Sequence, residues 1–374
     1  MLQKFALILF SFFAIAASWA QQNSDRSWRF AVSGDSRNCG DVVMPAIAKS
    51  VNQKHAAFYW HLGDFRAMYE MDEDMQHVYS ERLPLAEYRQ IAWGDFIDNQ
   101  VRPFGAVPVR LGIGNHELIS KTDADYFSTF GYWLDTPELR EQRLKEFSDG
   151  NLRTYYHWHE HNVDFIYLDN SSDDGFDDTQ TQWFERVLAA DRNDVEIKAV
   201  VVAMHRALPN SLACGHSMNG DKNNPSVKGT QSGRRAYLDL VKWRHDTNRF
   251  VHVLASHSHF YMQDLYDTDY WKNPSHGGVV LPGWIVGTAG ARRYTLPDLT
   301  LEMKSKTKAE TNAWGYLLAT VSPSGEINFE FIKLNLNDLP REVKDRYGDF
   351  AKNFCYEGNK DPGKHDPPDS CNEK

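Results

Sequence analysis

The amino-acid sequence predicts an α/β fold, on three observations. Strand-length apolar runs recur along the chain, segments of helical periodicity separate them, and run after run ends on a polar tip of Asp, Asn or His. Strand, polar tip and then helix is the grammar of α/β sheets, whose ligands sit beyond the carboxyl ends of the strands.

Taken in order, Trp28 to Ser33 reads as a buried strand feeding the Gly34-Asp35 loop, and Val42 to Val51 carries apolar residues at helical spacing. Ala57 to Leu62 is a second strand and ends on Gly63-Asp64. A helical region rich in charge and aromatics runs from about Met68 to Asn99 and is expected to wall a pocket. Val107 to Ile113 is a third strand, ending on Gly114-Asn115-His116-Glu117. In the second half, Thr154 to His161 and Val163 to Asp169 read as a hairpin, with Gln180 to Ala190 a helix after it. The Ile197 to Met204 strand ends at His205, Gly233 to Asp246 is a helix, and the Val251 to Ala255 strand ends at Ser256-His257-Ser258-His259. Late strands follow at Trp284 to Gly287, Gly315 to Val321 and Ile327 to Leu334, the last two flanking the Ser322-Pro323-Ser324-Gly325 turn. This gives one domain over 21–338, then a C-terminal helix and tail over 339–374.

Residues 1–20 stand apart as a signal peptide. Lys4 supplies the positive start, Phe5 to Ala16 the apolar run, and Ser18-Trp19-Ala20 the small residues before a cut between Ala20 and Gln21. The apolar run is shorter than the roughly 18–20 residues of a spanning helix, which argues against a membrane anchor. The mature chain is therefore expected to be secreted or periplasmic. A formal charge of −10 gives no bulk attraction to nucleic acid or anionic membranes. A phosphorylated ligand would need positive charge supplied locally, as by bound metal. A hydrophobic content of 41% suits a filled core rather than disorder. The four cysteines, Cys39, Cys214, Cys355 and Cys371, read in an exported chain as two disulfides, with three connectivities open. Cys355–Cys371 is expected because both sit in a Pro/Gly/Asp-rich tail, and Cys39–Cys214 follows by elimination.

The five tips Asp35, Asp64, Asn115-His116, His205 and His257/His259 carry the candidate chemistry. An Asp after a strand is commonly a helix cap or turn former, so no tip is informative alone. Together they converge, because each follows a strand of the same predicted sheet system. Carboxylate, amide oxygen and imidazole without thiolate suit Mn, Fe or Zn in a catalytic site.

In order, GDSR, GDFR, GNHE, MHRAL and SHSH resemble the signature of the calcineurin-like metallophosphoesterases, with a more distant similarity to purple acid phosphatases. The resemblance spans roughly Trp28 to Leu334. It implies a four-layer α/β/β/α sandwich that hydrolyses a phosphate monoester or diester with two transition-metal ions. Carried over by position, Asp35 ligates metal one, Asp64 bridges both ions, Asn115, His205 and His257 complete metal two, and His259 returns to metal one. The resemblance further implies attack by a hydroxide held between the ions, with His116 as the acid that protonates the leaving oxygen and Glu117 orienting its neighbours. The partner it implies is a phosphorylated small molecule or surface component.

Two positions depart from the pattern. Arg37 stands where the first motif has His, and Ser256 stands for Gly in the fifth. Arg37 is open to two readings, a guanidinium fork that grips a phosphate oxygen or a filler paired with a nearby Asp. Ala67 occupies the position of the purple phosphatases' tyrosinate, with Tyr69 two residues on, so purple iron is not carried over. The missing His also keeps open a non-catalytic phosphate-binding protein on the same fold. Arg206, Arg292 and Arg293 are weaker candidates for gripping phosphate. His157, His159 and His161 alternate along a strand like a metal comb, but with no Asp or Cys partner expected beside them that face reads as solvated or partly packed. The acidic stretch from Asp173 to Asp178 lacks a full calcium-loop pattern and reads as a cap for the next helix.

Overall fold

The computed structural model describes residues 26–172, 175–212, 215–220, 225–296 and 308–361. The expected signal peptide, Cys214 and Cys371 lie outside them. The first half runs β1 (Trp28–Ser33), α1 (Gly40–Gln53), β2 (Tyr59–His61), α2 (Glu73–Val78), α3 (Leu85–Phe96), β3 (Val109–Leu111), α4 (Asp123–Leu134) and α5 (Pro137–Glu146). Next come β4 (Tyr156–Glu160), β5 (Val163–Leu168), α6 (Asp178–Asn193), β6 (Ala199–Met204), α7 (Val227–Thr247) and β7 (Phe250–Ala255). The chain closes with β8 (Tyr261–Gln263), α8 (Asp269–Lys272), β9 (Gly283–Val286), β10 (Ala309–Glu310), β11 (Trp314–Val321), β12 (Ile327–Leu334) and α9 (Arg341–Phe350).

The strands form two sheets, ordered β12-β11-β1-β2-β3 and β10-β8-β9-β7-β6-β5-β4. Parallel pairing joins β1-β2-β3 in one and β5-β6-β7-β9 in the other, so their carboxyl ends share an edge. Side-chain alternation along the strands makes the layers. Ile166, Val200, Val202 and Val253 belong to the core under α6 and α7, whereas Phe165, Val201, Ala203 and Leu254 join the core shared with the first sheet. From the first sheet, Trp60 meets Trp158 edge-on at 5.0 Å, while the Tyr59 hydroxyl turns the other way to Met44 of α1. The result is a four-layer α/β/β/α sandwich.

Several boundaries moved for local reasons. The helical stretch expected over Met68 to Asn99 breaks into α2, which stops at Val78, and α3, which starts behind Pro84, a residue with no N–H to donate to a preceding turn. The helix expected from Gly233 begins at Val227, capped where the Ser226 side chain accepts from Gly229 N at 3.1 Å. Between α1, α2 and α3 lies a buried charge cluster. The Arg66 guanidinium donates to Asp41, Asp74 and Asp95, and those carboxylates hold its charge in place against burial.

The disulfide expectation fails. Cys39 pairs with Cys355, 316 residues away and 5.9 Å between Cα atoms, which rules out both Cys39–Cys214 and Cys355–Cys371. The elimination argument treated the C-terminal stretch as a detached tail, but it packs onto the start of α1. Tyr347 of α9 donates to Asp41 at 3.1 Å, and Arg293 donates to the Cys355 and Tyr356 carbonyls at 2.9 and 2.6 Å. Arg293 is therefore a clamp on the C-terminal segment rather than a phosphate grip, and burial brings its pKa down to about 10.

His252 lies between the sheets against Trp284 and Phe329, and neither ring nitrogen has a hydrogen-bond partner. Burial, with Arg244 nearby, lowers its pKa to about 3 from an ordinary 6.5. A folded pKa below the unfolded one means its contribution is complete above pH 6.5 and drains away as pH falls toward 3. The drain is at most roughly 1.4 kcal/mol per pH unit. His252→Leu should therefore show a flatter fall in urea midpoint between pH 6.5 and 4.5 than the wild type, and parallel curves would refute this reading.

Candidate metal centre

The five tips meet at the shared carboxyl edge. Asp35 follows β1, Asp64 follows β2, Asn115 follows β3, His205 follows β6, and His257 with His259 follow β7. Three of these residues sit in the left-handed backbone region, with φ of 60° at Asp35, 59° at Asp64 and 64° at His257. Such strain persists only where the surroundings over-determine it. The loop after β9 supplies part of that constraint, Ala289 N donating to Gly34 O at 3.0 Å and Ala291 N to Asp35 O at 2.9 Å. At the third tip, a Cβ on Gly114 would fall 2.3 Å from Asp64 Oδ1, so only glycine allows that approach.

Around Asp64 the donors crowd a single point. His205 Nε2 faces Asp64 Oδ1 at 3.3 Å, Asn115 Oδ1 at 3.1 Å and His257 Nδ1 at 3.1 Å. Its other nitrogen, Nδ1, is engaged with Leu62 O at 2.9 Å, which turns Nε2 inward. One imidazole nitrogen cannot satisfy three acceptors, whereas a cation among the four groups would. The excess negative charge shows on His205 itself, which Asp64 and then Asp35 push up to about 9 against the effect of burial.

Asp35 and His259 make the adjoining half. Asp35 Oδ2 accepts from His257 N at 2.7 Å and from the Ser256 hydroxyl, so the serine that departs from the motif buttresses the first carboxylate. His259 Nε2 lies 3.2 Å from Asp35 Oδ1, and its Nδ1 is held on Arg292 O at 2.7 Å. Two carboxylate oxygens, Asp35 Oδ1 and Asp64 Oδ2, are buried with no hydrogen-bond partner. Orphaned buried carboxylate oxygens beside inward-turned imidazoles fit a metal ion. The fit is complete around Asp64. Around Asp35 it is contested, because Arg37 puts a guanidinium nitrogen 3.1 Å from His259 Nε2. Burial alone would lower the Arg37 pKa, but Asp64 foremost among its neighbours raises it.

His116 stands beside the donors. Its Nδ1 is fixed on Ala67 O at 2.6 Å, leaving Nε2 turned toward Asp64 Oδ2 at 3.6 Å. Burial lowers its pKa, which keeps the ring neutral near pH 7. Glu117 accepts from three backbone N–H groups, Gly114 at 2.7 Å and Asp64 and Phe65 at 2.8 Å, and so locks the second tip to the third. Burial and then Asp64 push its pKa up to about 7.

Three residues near the centre had no motif to announce them. The Tyr69 hydroxyl is 3.4 Å from Arg37 and its ring 5.4 Å from His116. Tyr294 stacks on His259 at 4.2 Å between ring centroids. His216 Nδ1 lies 2.9 Å from the Ser258 hydroxyl, and burial lowers its pKa to about 4. Arg292 turns to Asp361, 3.4 Å away. Asp173 and Asp174 lie outside the described residues, while Asp177 caps α6 by accepting from Gln180 N at 2.7 Å. The histidine comb needs correction. Its face has acidic partners, since Asp164 stands directly across from His159 in the strand pairing and lies 2.8 Å from His157.

No protein-family model and no curated sequence matches this chain. Solved structures do match in fold. A purple acid phosphatase from yellow lupin (Lupinus luteus) seeds aligns with a TM-score of 0.53 at 15% identity, over 84% of this chain. The structure described as PhoD aligns with a TM-score of 0.50 at 14% identity, over 82% of this chain and 68% of its own. The chain spans about half, 55%, of the length of the lupin enzyme. At these identities the likenesses show the fold, which this chain shares with both structures.

Glu117→Gln tests how the tips are held. An amide in place of the carboxylate leaves at least one of three backbone donors facing an NH2 group. Denaturant unfolding should show a loss of about 1–3 kcal/mol, whereas unchanged stability would mean that Glu117 does not lock the tips.

Proposed function

We propose that this chain is an exported, metal-dependent phosphoesterase whose ions bind at the strand-tip site. The observation that carries the reading is the pair of buried, unpartnered carboxylate oxygens, Asp35 Oδ1 and Asp64 Oδ2, set among three imidazoles and the Asn115 amide. Asp64, Asn115, His205 and His257 would hold one ion, and Asp35, Asp64 and His259 a second. Mn, Fe or Zn all suit this donor set. When bound, such a pair supplies an acidified hydroxide and positive charge for the phosphoryl oxygens.

The residues do the rest. Leu62 O and Arg292 O orient His205 and His259, and Glu117 keeps Asp64 and Asn115 at a set separation. His116, anchored through Nδ1 on Ala67 O, would take up a proton at Nε2 from solvent and pass it to the leaving oxygen of the ester. Arg37 carries a permanent charge into the site and would draw a phosphate oxygen toward it when it releases His259. Because the guanidinium covers the His259 nitrogen, an ion at Asp35 would be the weaker-held of the two. That same contact favours the second reading, a phosphate-binding protein with incomplete catalysis.

Adjacent substitutions at the third tip separate ligand from acid. Asn115→Ala should lose metal and activity together. His116→Ala should keep its metal but slow hydrolysis of an alkyl phosphate by about 10²–10⁴-fold, with a much smaller loss for nitrophenyl phosphate. Equal losses on both substrates would defeat the acid role, and a wild-type protein that hydrolyses neither monoesters nor diesters after loading with Mn, Zn or Fe would defeat the enzymatic reading. Arg37→His restores an imidazole at the contested position. Elemental analysis should then find a more fully occupied second ion, and unchanged content would show that Arg37 does not set occupancy.

A further inference from the structure

A second cluster of ligand-type side chains lies well away from the strand tips. Asp164 is near the start of β5, about four residues or roughly 13 Å back from that strand's carboxyl end. It faces the helix side of the sheet, where His157 and His159, two apart on β4, share one face. His157 Nδ1 is 2.8 Å from Asp164, and His159 Nε2 is 3.7 Å from Asp164 and 3.6 Å from Asp191 of α6. One ligand atom each from His157, His159 and Asp164 lies within 4.8 Å of the others.

We propose that His157 Nδ1, His159 Nε2, Asp164 and Asp191 form a structural site for one divalent transition-metal ion, zinc by the character of its donors. The separations of 3.6 and 3.7 Å lie close to the edge of a tetrahedron with zinc at its centre, which is about 3.3–3.6 Å for bonds of 2.0–2.2 Å. The His157–Asp164 pair must part slightly, as the ion takes the place of the proton that bridges them. An independent mark is Asp191 Oδ2. Asp191 is 2% exposed, and that oxygen is buried with no hydrogen-bond partner. The supporting contact of a metal-bound imidazole is also in place. His157 Nε2 meets the Glu146 carboxylate, which in turn accepts from Trp183 Nε1 at 2.7 Å. Ligating histidines are commonly held through their second nitrogen in this way. His159, with 42% of its side chain exposed, leaves the ion a path from solvent.

The site has a structural task. β4 is the outermost strand of its sheet, and the ion would bind it and β5 to α6, neutralising two carboxylates taken out of water. It does not depend on the strand-tip reading, because it is counted as a difference between variants.

The test dialyses the full mature chain against zinc and counts ions per chain by elemental analysis. Wild type should hold one ion more than His159→Ala, however many occupy the strand tips, and zinc should raise the melting temperature of wild type more than that of the variant. Activity toward phosphate esters should be the same in both. Should His159→Ala fail to give a native near-ultraviolet circular dichroism spectrum, the near-isosteric Asp191→Asn takes its place in the same comparison. Equal zinc content in wild type and the folded variant would overturn the proposal and leave the cluster as a network of proton-bridged ion pairs.

Discussion

Two carboxylates, Asp35 and Asp64, are fully buried at the ends of neighbouring parallel strands, and much of the surrounding structure answers to that burial. Negative charge out of water must be met by hydrogen bonds or cations. Each Asp has one oxygen engaged by backbone N–H groups, His257 N for Asp35 and His116 N for Asp64, and the other left open toward the centre. The left-handed backbone at both positions aims the side chains inward. The imidazoles and Arg37 bring the compensating positive charge or lone-pair donors. The packing of the two sheets face to face, with their carboxyl ends on the same side, is what lets residues from β1, β2, β3, β6 and β7 approach within hydrogen-bond distance of one another.

The periphery secures that arrangement through polar contacts as well as apolar ones. Arg66 follows the second tip by two residues and ties three helices through Asp41, Asp74 and Asp95. Asp41 also receives Tyr347, and Cys39, immediately before α1, is bonded to Cys355. The C-terminal segment thus braces the loop that carries Asp35 and Arg37. A covalent link over so long a separation restricts the unfolded chain and helps hold the first motif in register with the rest.

Arg37 shows how one side chain can change the balance of a shared site. A guanidinium cannot lose its proton to become a ligand, so at the position of an imidazole it supplies charge where a donor would otherwise stand. Its contact with His259 Nε2 occupies the nitrogen that faces Asp35, and Tyr69 steadies its far side. The two halves of the centre are therefore unequal, one with four converging donors and the other with an internal cation already engaged.

The sequence by itself determined every described strand but the short β8 and β10, together with the order of polar tips and the residue types at each tip, because apolar runs and the glycines beside the tips are local signals. β1 begins and ends where its apolar run does, and β5, β6, β7, β11 and β12 fall within a residue or two of theirs. The tertiary structure alone decided what depends on contacts between distant segments. The cysteine partners came from the C-terminal turn folding back over α1, which no spacing discloses. Of the acidic partners of the histidine comb, Asp164 lies on the next strand of a hairpin the sequence announces, its exact register set by the pairing, whereas Asp191 came from α6, about thirty residues on. The partners of Arg37 likewise required His259, 222 residues away, to be placed beside it. Local periodicity writes elements into a sequence, whereas side-chain partnership is settled only when those elements pack.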